Sequence, residues 1–286
     1  MSQVQHKLLR TRRTVQVAAA LLLNGYLPGF WRGEIYQGGL KQVCIPVLNC
    51  WSCPGALGSC PVGAIQGLAN LRLVSLYVVG LVLSVGALAG RWVCGWLCPF
   101  GLLQELAYRR HRGDRRWSPA WVRGKYVALA LLVPLALWLR PAGVTASYFC
   151  AYVCPAGTLQ AGLPLLLVDR TLWTLAGPLL AWKTAVLVAF VAAATARYRP
   201  FCRAVCPLGA AYGLFNGVAV LRLRLDDQVC TRCGACAQVC PVGLALPAET
   251  NSPECVRCLA CTRACPEQAL RFGRCLLGPI AERGEA

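Results

Sequence analysis

Histidine and methionine are almost absent from this chain of 286 residues, which has two histidines and one methionine. His6 and His111 lie outside the apolar stretches, so we expect no haem held by two histidines or by histidine and methionine. The sequence also lacks a G-x-G-x-x-G fingerprint beside a strand, a P-loop and a flavin motif. These absences give no support to nucleotide-dependent chemistry.

Charged residues are also scarce. They make up 14% of the chain, against 57% hydrophobic residues and a mean hydropathy of +0.53. An ordinary soluble domain has about 25% charged residues. The net charge is +18, but the cations lie beside apolar runs rather than in one patch with interleaved aromatics. The composition therefore predicts the lipid bilayer as a partner and no nucleic acid.

Four uncharged stretches predict four transmembrane helices, at residues 15–31, 73–89, 126–139 and 184–196. Because a crossing needs about 20 apolar residues, the last two require extension at a flank. Lysine and arginine precede the first stretch and fill the connection between the second and third. By the positive-inside rule these segments are cytoplasmic. We expect a multi-pass protein of the cytoplasmic membrane with both termini cytoplasmic.

Cysteine, by contrast, is abundant, and eight of the 19 cysteines form two C-x2-C-x2-C-x3-C-P runs near the C-terminus. In two-cluster ferredoxins the fourth cysteine of each run ligates the other cluster. The predicted ligands of one [4Fe-4S] cluster are Cys230, Cys233, Cys236 and Cys265. The predicted ligands of the second are Cys255, Cys258, Cys261 and Cys240. Zinc is the alternative, but its sites use cysteine pairs or mixtures of cysteine and histidine.

A second motif, C-x3-C-P-x-G, recurs upstream of these runs. Its copies lie at residues 94–101, 150–157 and 202–209, with a looser copy at 53–63. Gln66, Gln104 and Gln160 occupy the same position after three of the four C-P pairs, which indicates an internal repeat. On the predicted topology the copies alternate between the two membrane faces. Two tandem halves would then bring like copies together, giving four thiolates at each face.

These thiolates are candidate ligands of further iron–sulfur clusters. At the inner face the candidates are Cys94, Cys98, Cys202 and Cys206, where a reducing cytoplasm favours a cluster or free thiols over disulfides. At the outer face the candidates are Cys53, Cys60, Cys150 and Cys154, with Cys44 and Cys50 as alternatives. Since six cysteines exceed the need of one cluster, one cluster with a disulfide and two small clusters both stay open there.

The sequence thus divides into a basic cytoplasmic N-terminus, a mainly α membrane domain of four spans, a small α+β ferredoxin domain and a tail. Their predicted bounds are 1–14, 15–215, 216–275 and 276–286. Cys275 lies outside every motif, so we interpret it as an incidental thiol. No catalytic residue is assigned, and the oligomeric state is open.

Residues 226–272 resemble a bacterial two-cluster ferredoxin. Together with the motifs at 94–101 and 202–209, they make the chain similar to the NapH-like ferredoxin-type membrane proteins that pass quinol electrons to periplasmic nitrate reductase. The C-terminal part of NosR, a nitrous-oxide-reductase maturation protein, is similar too. The resemblance implies quinol dehydrogenation and electron relay, with four spans and cytoplasmic termini. The additional motifs at 53–63 and 150–157 depart from the family pattern, so nitrate reductase is not inferred as the partner.

Our leading hypothesis is a membrane-bound electron-transfer protein between a cytoplasmic donor or acceptor and quinone or an outer-face redox protein. Because the apolar layer is about 30 Å thick, quinone would bridge clusters on opposite faces. The alternative is an assembly factor that supplies electrons for the maturation of another metalloenzyme. A redox sensor ranks last, since the chain has no output segment. Glu105 and Asp169 are the candidate proton acceptors, and solvation or ion pairing is the alternative for both.

Overall fold

The computed structural model describes residues 3–70, 75–108, 117–139, 147–175 and 177–274, most of which are helical. Its α-helices are α1 (Gln3–Leu23), α2 (Pro28–Arg32), α3 (Pro61–Asn70), α4 (Leu76–Ala89), α5 (Trp92–Trp96), α6 (Pro99–Ala107), α7 (Pro119–Leu139), α8 (Pro155–Gly157), α9 (Leu163–Val168), α10 (Thr171–Leu175), α11 (Gly177–Ala196), α12 (Pro200–Ala204), α13 (Pro207–Leu214), α14 (Ala235–Gln238) and α15 (Ala260–Ala264). The remaining elements are a 3₁₀ turn (Gly39–Gln42), two π-helical turns (Phe149–Val153 and Thr158–Gly162) and strands β1 (Leu221–Leu225) and β2 (Leu270–Arg274).

The prediction of four transmembrane helices in two repeats is wrong. Within the described ranges one helix, α11, is both long and apolar enough to cross a membrane. Helix α4 has 14 residues, so it extends about 21 Å, short of a hydrocarbon core of about 30 Å. The predicted stretch at 15–31 divides after Leu23, because Pro28 begins the separate helix α2. The predicted cytoplasmic location of both termini stays a prediction.

Each copy of the C-P-x-G motif begins a helix at its proline. Cys98 caps α6 and accepts the N–H of Gly101 at 3.4 Å, and Cys206 caps α13 and accepts the N–H of Gly209 at 3.4 Å. The sulfur takes the role that an oxygen has at most N-caps, and proline suits the next position because its fixed φ is already helical. Helices α3 and α8 also begin at the proline of their copies. The motif therefore directs cysteine sulfurs towards helix N-termini.

Two apolar cores hold these elements together. The larger one is formed around α7, which packs against α3, α12 and α13, and contains Phe100 and Phe201 in edge-to-face contact at 5.4 Å. The smaller core lies in the C-terminal region, where β1 pairs antiparallel with β2 so that Leu223 is opposite Phe272. The short helices α14 and α15 lie between the two strands in the chain and pack against each other.

Candidate functional site

Two cavities in the C-terminal region are each lined by four cysteines. One cavity, of about 350 Å³, is lined by Cys240, Cys255, Cys258 and Cys261. The other, of about 340 Å³, is lined by Cys230, Cys233, Cys236 and Cys265. The structure thus groups these cysteines in the two sets that the run spacing predicts, with the fourth cysteine exchanged. That they ligate clusters stays a prediction.

Backbone geometry in the loop of the 350 Å³ cavity suits anionic sulfur. Arg257 and Leu259 have positive φ values of 51° and 63°, a backbone conformation that lets N–H groups point into a concave loop that binds anions. Burial and the neighbouring Cys258 raise the pKa of the Cys255 thiol to about 12, whereas the N–H of Arg257 acts in the opposite direction. These N–H groups offset part of the cost of a buried anionic cluster.

The cysteines surround cavities and do not converge on a point. In the described part of the chain, no group of three or more histidine, cysteine or acidic side chains is placed to hold a single metal ion. A zinc site would require four ligands within about 2.3 Å of one ion. The residues around the two C-terminal cavities therefore fit a larger group better than they fit zinc.

A third set of cysteines lies where α5 and α6 meet α12 and α13. This set, the buried thiol group, consists of Cys94, Cys98, Cys202 and Cys206, all of them buried. Cys98 interacts electrostatically with Cys202 and Cys94, and Cys206 interacts with all three other members. Gln104, at the repeated glutamine position, donates from Nε2 to the Sγ of Cys202 at 3.1 Å. The structure thus unites the two C-x3-C pairs that the repeat predicts to meet.

Two fully buried arginines flank the buried thiol group. Arg91 donates from Nη2 to the carbonyl of Cys202 at 3.0 Å, and Arg199 donates from Nη1 to the carbonyl of Cys94 at 2.5 Å. Burial raises the pKa of the Cys94 thiol to about 11, and the charges of Arg91 and Arg199 act in the opposite direction. Their positive field favours an anionic ligand set. Sequence reasoning missed both residues, because a single arginine beside an apolar helix indicates only how that helix is oriented in a membrane.

Arg199 belongs to a buried ion network centred on Glu105. The Glu105 carboxylate pairs with Arg199 at 2.8 Å, pairs with Arg12 and accepts a hydrogen bond from the Tyr198 hydroxyl. Burial alone would raise the pKa of Glu105, but the charges of Arg199 and Arg12 and the Tyr198 hydroxyl hold it below its ordinary value. Glu105 is therefore ion-paired, which does not suit a free proton acceptor.

A tryptophan connects the buried thiol group with the C-terminal region. Trp96, inside the C-x3-C pair of its copy, donates from Nε1 to the carbonyl of Arg257 at 3.0 Å. Arg257 lies between two cysteines of the 350 Å³ cavity. A β-carbon on the neighbouring Gly95 would lie 2.2 Å from the carbonyl oxygen of Val256, so this approach requires glycine. The two cysteine loops therefore contact each other directly.

Asn216 reinforces the same contact. Its Nδ2 donates to the carbonyls of Cys255 and Ser252 at 2.8 and 2.9 Å, and its Oδ1 accepts the N–H of Arg91 at 3.0 Å. The Arg257 guanidinium donates back to the carbonyl of Asn216 at 2.7 Å. Buried polar contacts of this kind fix one orientation, because breaking them leaves unsatisfied groups. Sequence reasoning had no signal for these contacts, since Trp96 occupies a variable position of the C-x3-C pair and Asn216 lies outside every motif.

A fourth set of cysteines lines a wide pocket elsewhere in the molecule. This set, the open thiol pocket, consists of Cys50, Cys60, Cys150 and Cys154, around an open volume of about 1750 Å³. Cys53 and Cys44 are not among its lining residues. The Cys53 thiol interacts with Lys41, and the backbone of Cys44 bridges to Ser59. Of the predicted alternatives, Cys50 lines the pocket and Cys53 does not, and no disulfide joins the cysteines of the described ranges.

Two family models match the chain. One, described as a 4Fe-4S binding domain, matches residues 71–118, 127–170 and 179–225. The other, described as a 4Fe-4S dicluster domain, matches residues 222–266. The first covers three copies of the C-x3-C-P motif, and the second covers both C-terminal runs. Iron–sulfur clusters are thus the cofactor class of this chain, while their number stays a prediction.

Several known proteins are similar over most of their length. The methylamine utilization ferredoxin-type protein MauN of Paracoccus denitrificans is 29% identical over 82% of this chain and 76% of its own. MauN of Methylorubrum extorquens is 28% identical over 82% and 75%. The ferredoxin-type protein NapH of Haemophilus influenzae is 25% identical over 95% and 86%. No solved structure matches the chain. As the motifs predict, the chain belongs to the NapH-like family of ferredoxin-type 4Fe-4S proteins, and its role is electron transfer.

Proposed function

We propose that the chain relays electrons between a redox partner at its C-terminal region and the buried thiol group. When bound, a [4Fe-4S] cluster accepts and releases an electron at a potential set by its surroundings. The observation that carries the proposal is the hydrogen bond from Trp96 to the carbonyl of Arg257, because it joins two loops of predicted ligands. Polar contacts through Asn216 keep these loops at a constant separation.

The cysteines differ in solvent exposure, and this difference indicates where a redox partner would dock. Cys233 is exposed at the 340 Å³ cavity, whereas Cys261 in the 350 Å³ cavity and the whole buried thiol group are buried. The 350 Å³ cavity lies beside Trp96 through Arg257. We therefore place the docking surface of the redox partner around Cys233. A cluster at the buried thiol group would be shielded from water and would lie in the positive field of the two buried arginines.

An anaerobic EPR redox titration tests the relay. In reduced wild-type protein we expect magnetic interaction between centres bound near Arg257 and a centre bound by the buried thiol group. The Cys206→Ser variant should lose this interaction and keep the signals of the C-terminal region. Cys53→Ser is the matched control, because Cys53 lines none of the cysteine cavities described above. Identical spectra for wild type and Cys206→Ser at every potential would contradict the relay.

We also propose that α11 attaches the protein to a lipid bilayer. Trp182 and Val188 on this helix are 56% and 60% exposed, and Leu76 on α4 is 79% exposed. Exposed apolar surface of this extent marks a membrane or protein contact. After expression, the protein should stay in the membrane fraction through a high-salt and alkaline wash. Release into the supernatant would contradict the attachment.

Quinone stays a predicted partner, and the maturation of another metalloenzyme stays the alternative function. Mixing the anaerobic, oxidised protein with a quinol analogue tests the first. Bleaching of the iron–sulfur absorption bands is the expected result, and no bleaching would remove quinol from the proposal. A deletion strain tests the second: loss of a client enzyme's metal centre with unchanged quinol oxidation would favour the maturation role.

A further inference from the structure

The open thiol pocket repeats the connectivity of the buried thiol group. In both places, the glutamine six residues after the C-P cysteine reaches the first cysteine of the opposite copy. In the buried thiol group Gln104 donates to the Sγ of Cys202 at 3.1 Å. In the open thiol pocket the N–H of Cys50 donates to the Oε1 of Gln160 at 2.7 Å. Gln104 also accepts the N–H of Phe201 through Oε1 at 3.1 Å. Each glutamine thus contacts the start of the opposite copy, and Cys50 lies at this contact although it stands ten residues before its C-P cysteine rather than four.

The glycines of the two copies lie beside the sulfurs of the opposite copy. A β-carbon on Gly63 would lie 3.8 Å from the Sγ of Cys150, and one on Gly157 would lie 3.7 Å from the Sγ of Cys50. Each copy thus packs its glycine against the first cysteine of the other copy. The Nζ of Lys183 lies 3.9 Å from the same Gly157 position, so an ammonium group shares this side of the pocket.

The pocket also presents hydrogen-bonding groups that suit an anionic ligand. The Cys60 thiol accepts backbone N–H groups of Gly63, Val62 and Asn49. Asn49 lines the pocket and is fully buried, yet neither atom of its side-chain amide has a partner among the described residues. A buried amide left unpaired costs about 1–3 kcal/mol. A bound group with sulfur acceptors would satisfy Asn49, and Lys183 would compensate its negative charge.

We propose that Cys50, Cys60, Cys150 and Cys154 bind an iron–sulfur cluster whose counter-charge is Lys183. The thiols lose their protons as they bind a preassembled cluster, and no oxidation state changes. A single zinc ion would need four sulfurs within about 2.3 Å of one point. In the part of the chain that the structure describes, no three cysteine, histidine or acidic side chains are placed to hold one metal ion. The site uses residues separate from those of the relay, so either proposal can fail alone.

Iron and acid-labile sulfide analysis of the anaerobically purified full chain tests the ligand set. Cys50→Ser and Cys150→Ser should each contain about four iron atoms fewer per chain than wild type. Cys53→Ser, the matched control, should contain the wild-type amount. EPR signals of the C-terminal region, retained in every variant, show that the chain has folded.

Three results would overturn the ligand set. The first is equal iron in Cys50→Ser and wild type. The second is a loss in Cys53→Ser without one in Cys50→Ser. The third is zinc that is bound to the wild-type protein and absent from the Cys50→Ser variant. None of these results depends on the relay, which is tested by the separate Cys206→Ser variant.

Lys183→Gln tests the counter-charge. This variant should keep the wild-type iron content, and the midpoint potential of the signal that is missing from Cys50→Ser should become more negative. Lys183→Arg should restore that potential, and the signals that Cys50→Ser retains should not move. An unchanged potential in Lys183→Gln would overturn the assignment of Lys183.

Discussion

The buried thiol group and the open thiol pocket are built from the same repeat in different surroundings. The buried thiol group lies between two fully buried arginines and contacts the C-terminal region through Trp96. The open thiol pocket is lined by the half-buried cation Lys183 and opens over about 1750 Å³. A shared ligand motif therefore does not imply a shared potential or partner, because charge and exposure around a cluster set its potential. Substitutions that affect one side and spare the other test this contrast.

The largest expected effect is on the ion network of Glu105, which adjoins the buried thiol group through Arg199. Glu105→Gln should lower the free energy of unfolding by about 3–5 kcal/mol, because Arg199 and Arg12 would stay buried without a counter-charge. Thermal or denaturant unfolding measures the difference. Asp169→Asn is the control, since Asp169 bonds only within an exposed turn and should change stability by less than about 0.5 kcal/mol. Equal losses in both variants would contradict the network's role.

The same network predicts a pH dependence. The pKa of Glu105 lies below its ordinary value of 4.5 because Arg199, Arg12 and Tyr198 favour its ionised form. Its contribution to stability is therefore complete above that ordinary value and is lost as the pH falls through the lowered pKa. The difference between wild type and Glu105→Gln should be constant near neutral pH and narrow only in strong acid. A difference that narrows between pH 6 and 8 would contradict this sign.

The next effect concerns two glycines in corresponding motifs. Gly95→Ala should lower the unfolding free energy by about 2–3 kcal/mol, because the new methyl group meets the carbonyl of Val256 at 2.2 Å. Gly157→Ala should be nearly neutral, since its nearest contact would be 3.7 Å from the Sγ of Cys50. Limited proteolysis of the C-terminal region, with unfolding curves, compares the two. Equal unfolding free energies and equal proteolysis in both variants would contradict the close contact between Gly95 and Val256.

A smaller effect is expected from two tryptophans that both donate to carbonyls. Trp96→Phe should cost about 1 kcal/mol, because it leaves the buried carbonyl of Arg257 unpaired. Trp182→Phe should cost less, because its bond to the carbonyl of Tyr152 is exposed and water replaces the indole N–H. Unfolding midpoints measure both costs. A larger cost for Trp182→Phe would contradict the assignment of Trp96 to a fixed buried contact.

The smallest effect is that of salt on the two potentials. The Debye length falls from about 10 Å at 0.1 M salt to about 3 Å at 1 M, and buried charges are screened much less. Added salt should therefore lower the midpoint potential of the signal missing from Cys50→Ser. It should leave the potential of the signal missing from Cys206→Ser unchanged. EPR titrations at two salt concentrations test this, and equal shifts would contradict the contrast in exposure.

Part of the site could be predicted from the sequence. Ligand spacing and the repeat predicted which cysteines lie together in the C-terminal region and in the buried thiol group, because fixed turns follow fixed spacings. At the looser copy the sequence predicts Cys53, with Cys44 and Cys50 as alternatives. There the loop is longer, so spacing no longer decides which cysteine meets Cys60. In the structure Cys50 lines the pocket and its N–H donates to Gln160, while the choice of ligand stays a prediction.

The membrane prediction failed for a different reason. The prediction used the apolar composition of each stretch and did not consider where a helix begins and ends. Helix α4 is too short to span the bilayer, and the stretch at 15–31 is divided where Pro28 begins a new helix. Contacts between residues far apart in the chain also leave no local pattern in the sequence. Trp96 and Arg257 are separated by 161 residues, so only folding brings their loops together.

The iron and sulfide content of Cys98→Ser/Cys206→Ser, beside wild type purified in the same anaerobic preparation, tests the central claim most directly. We predict about four fewer iron atoms per chain in the double variant, with the EPR signals of the C-terminal region retained. Equal iron in the two proteins would contradict the account, because the relay would then end at the C-terminal cavities.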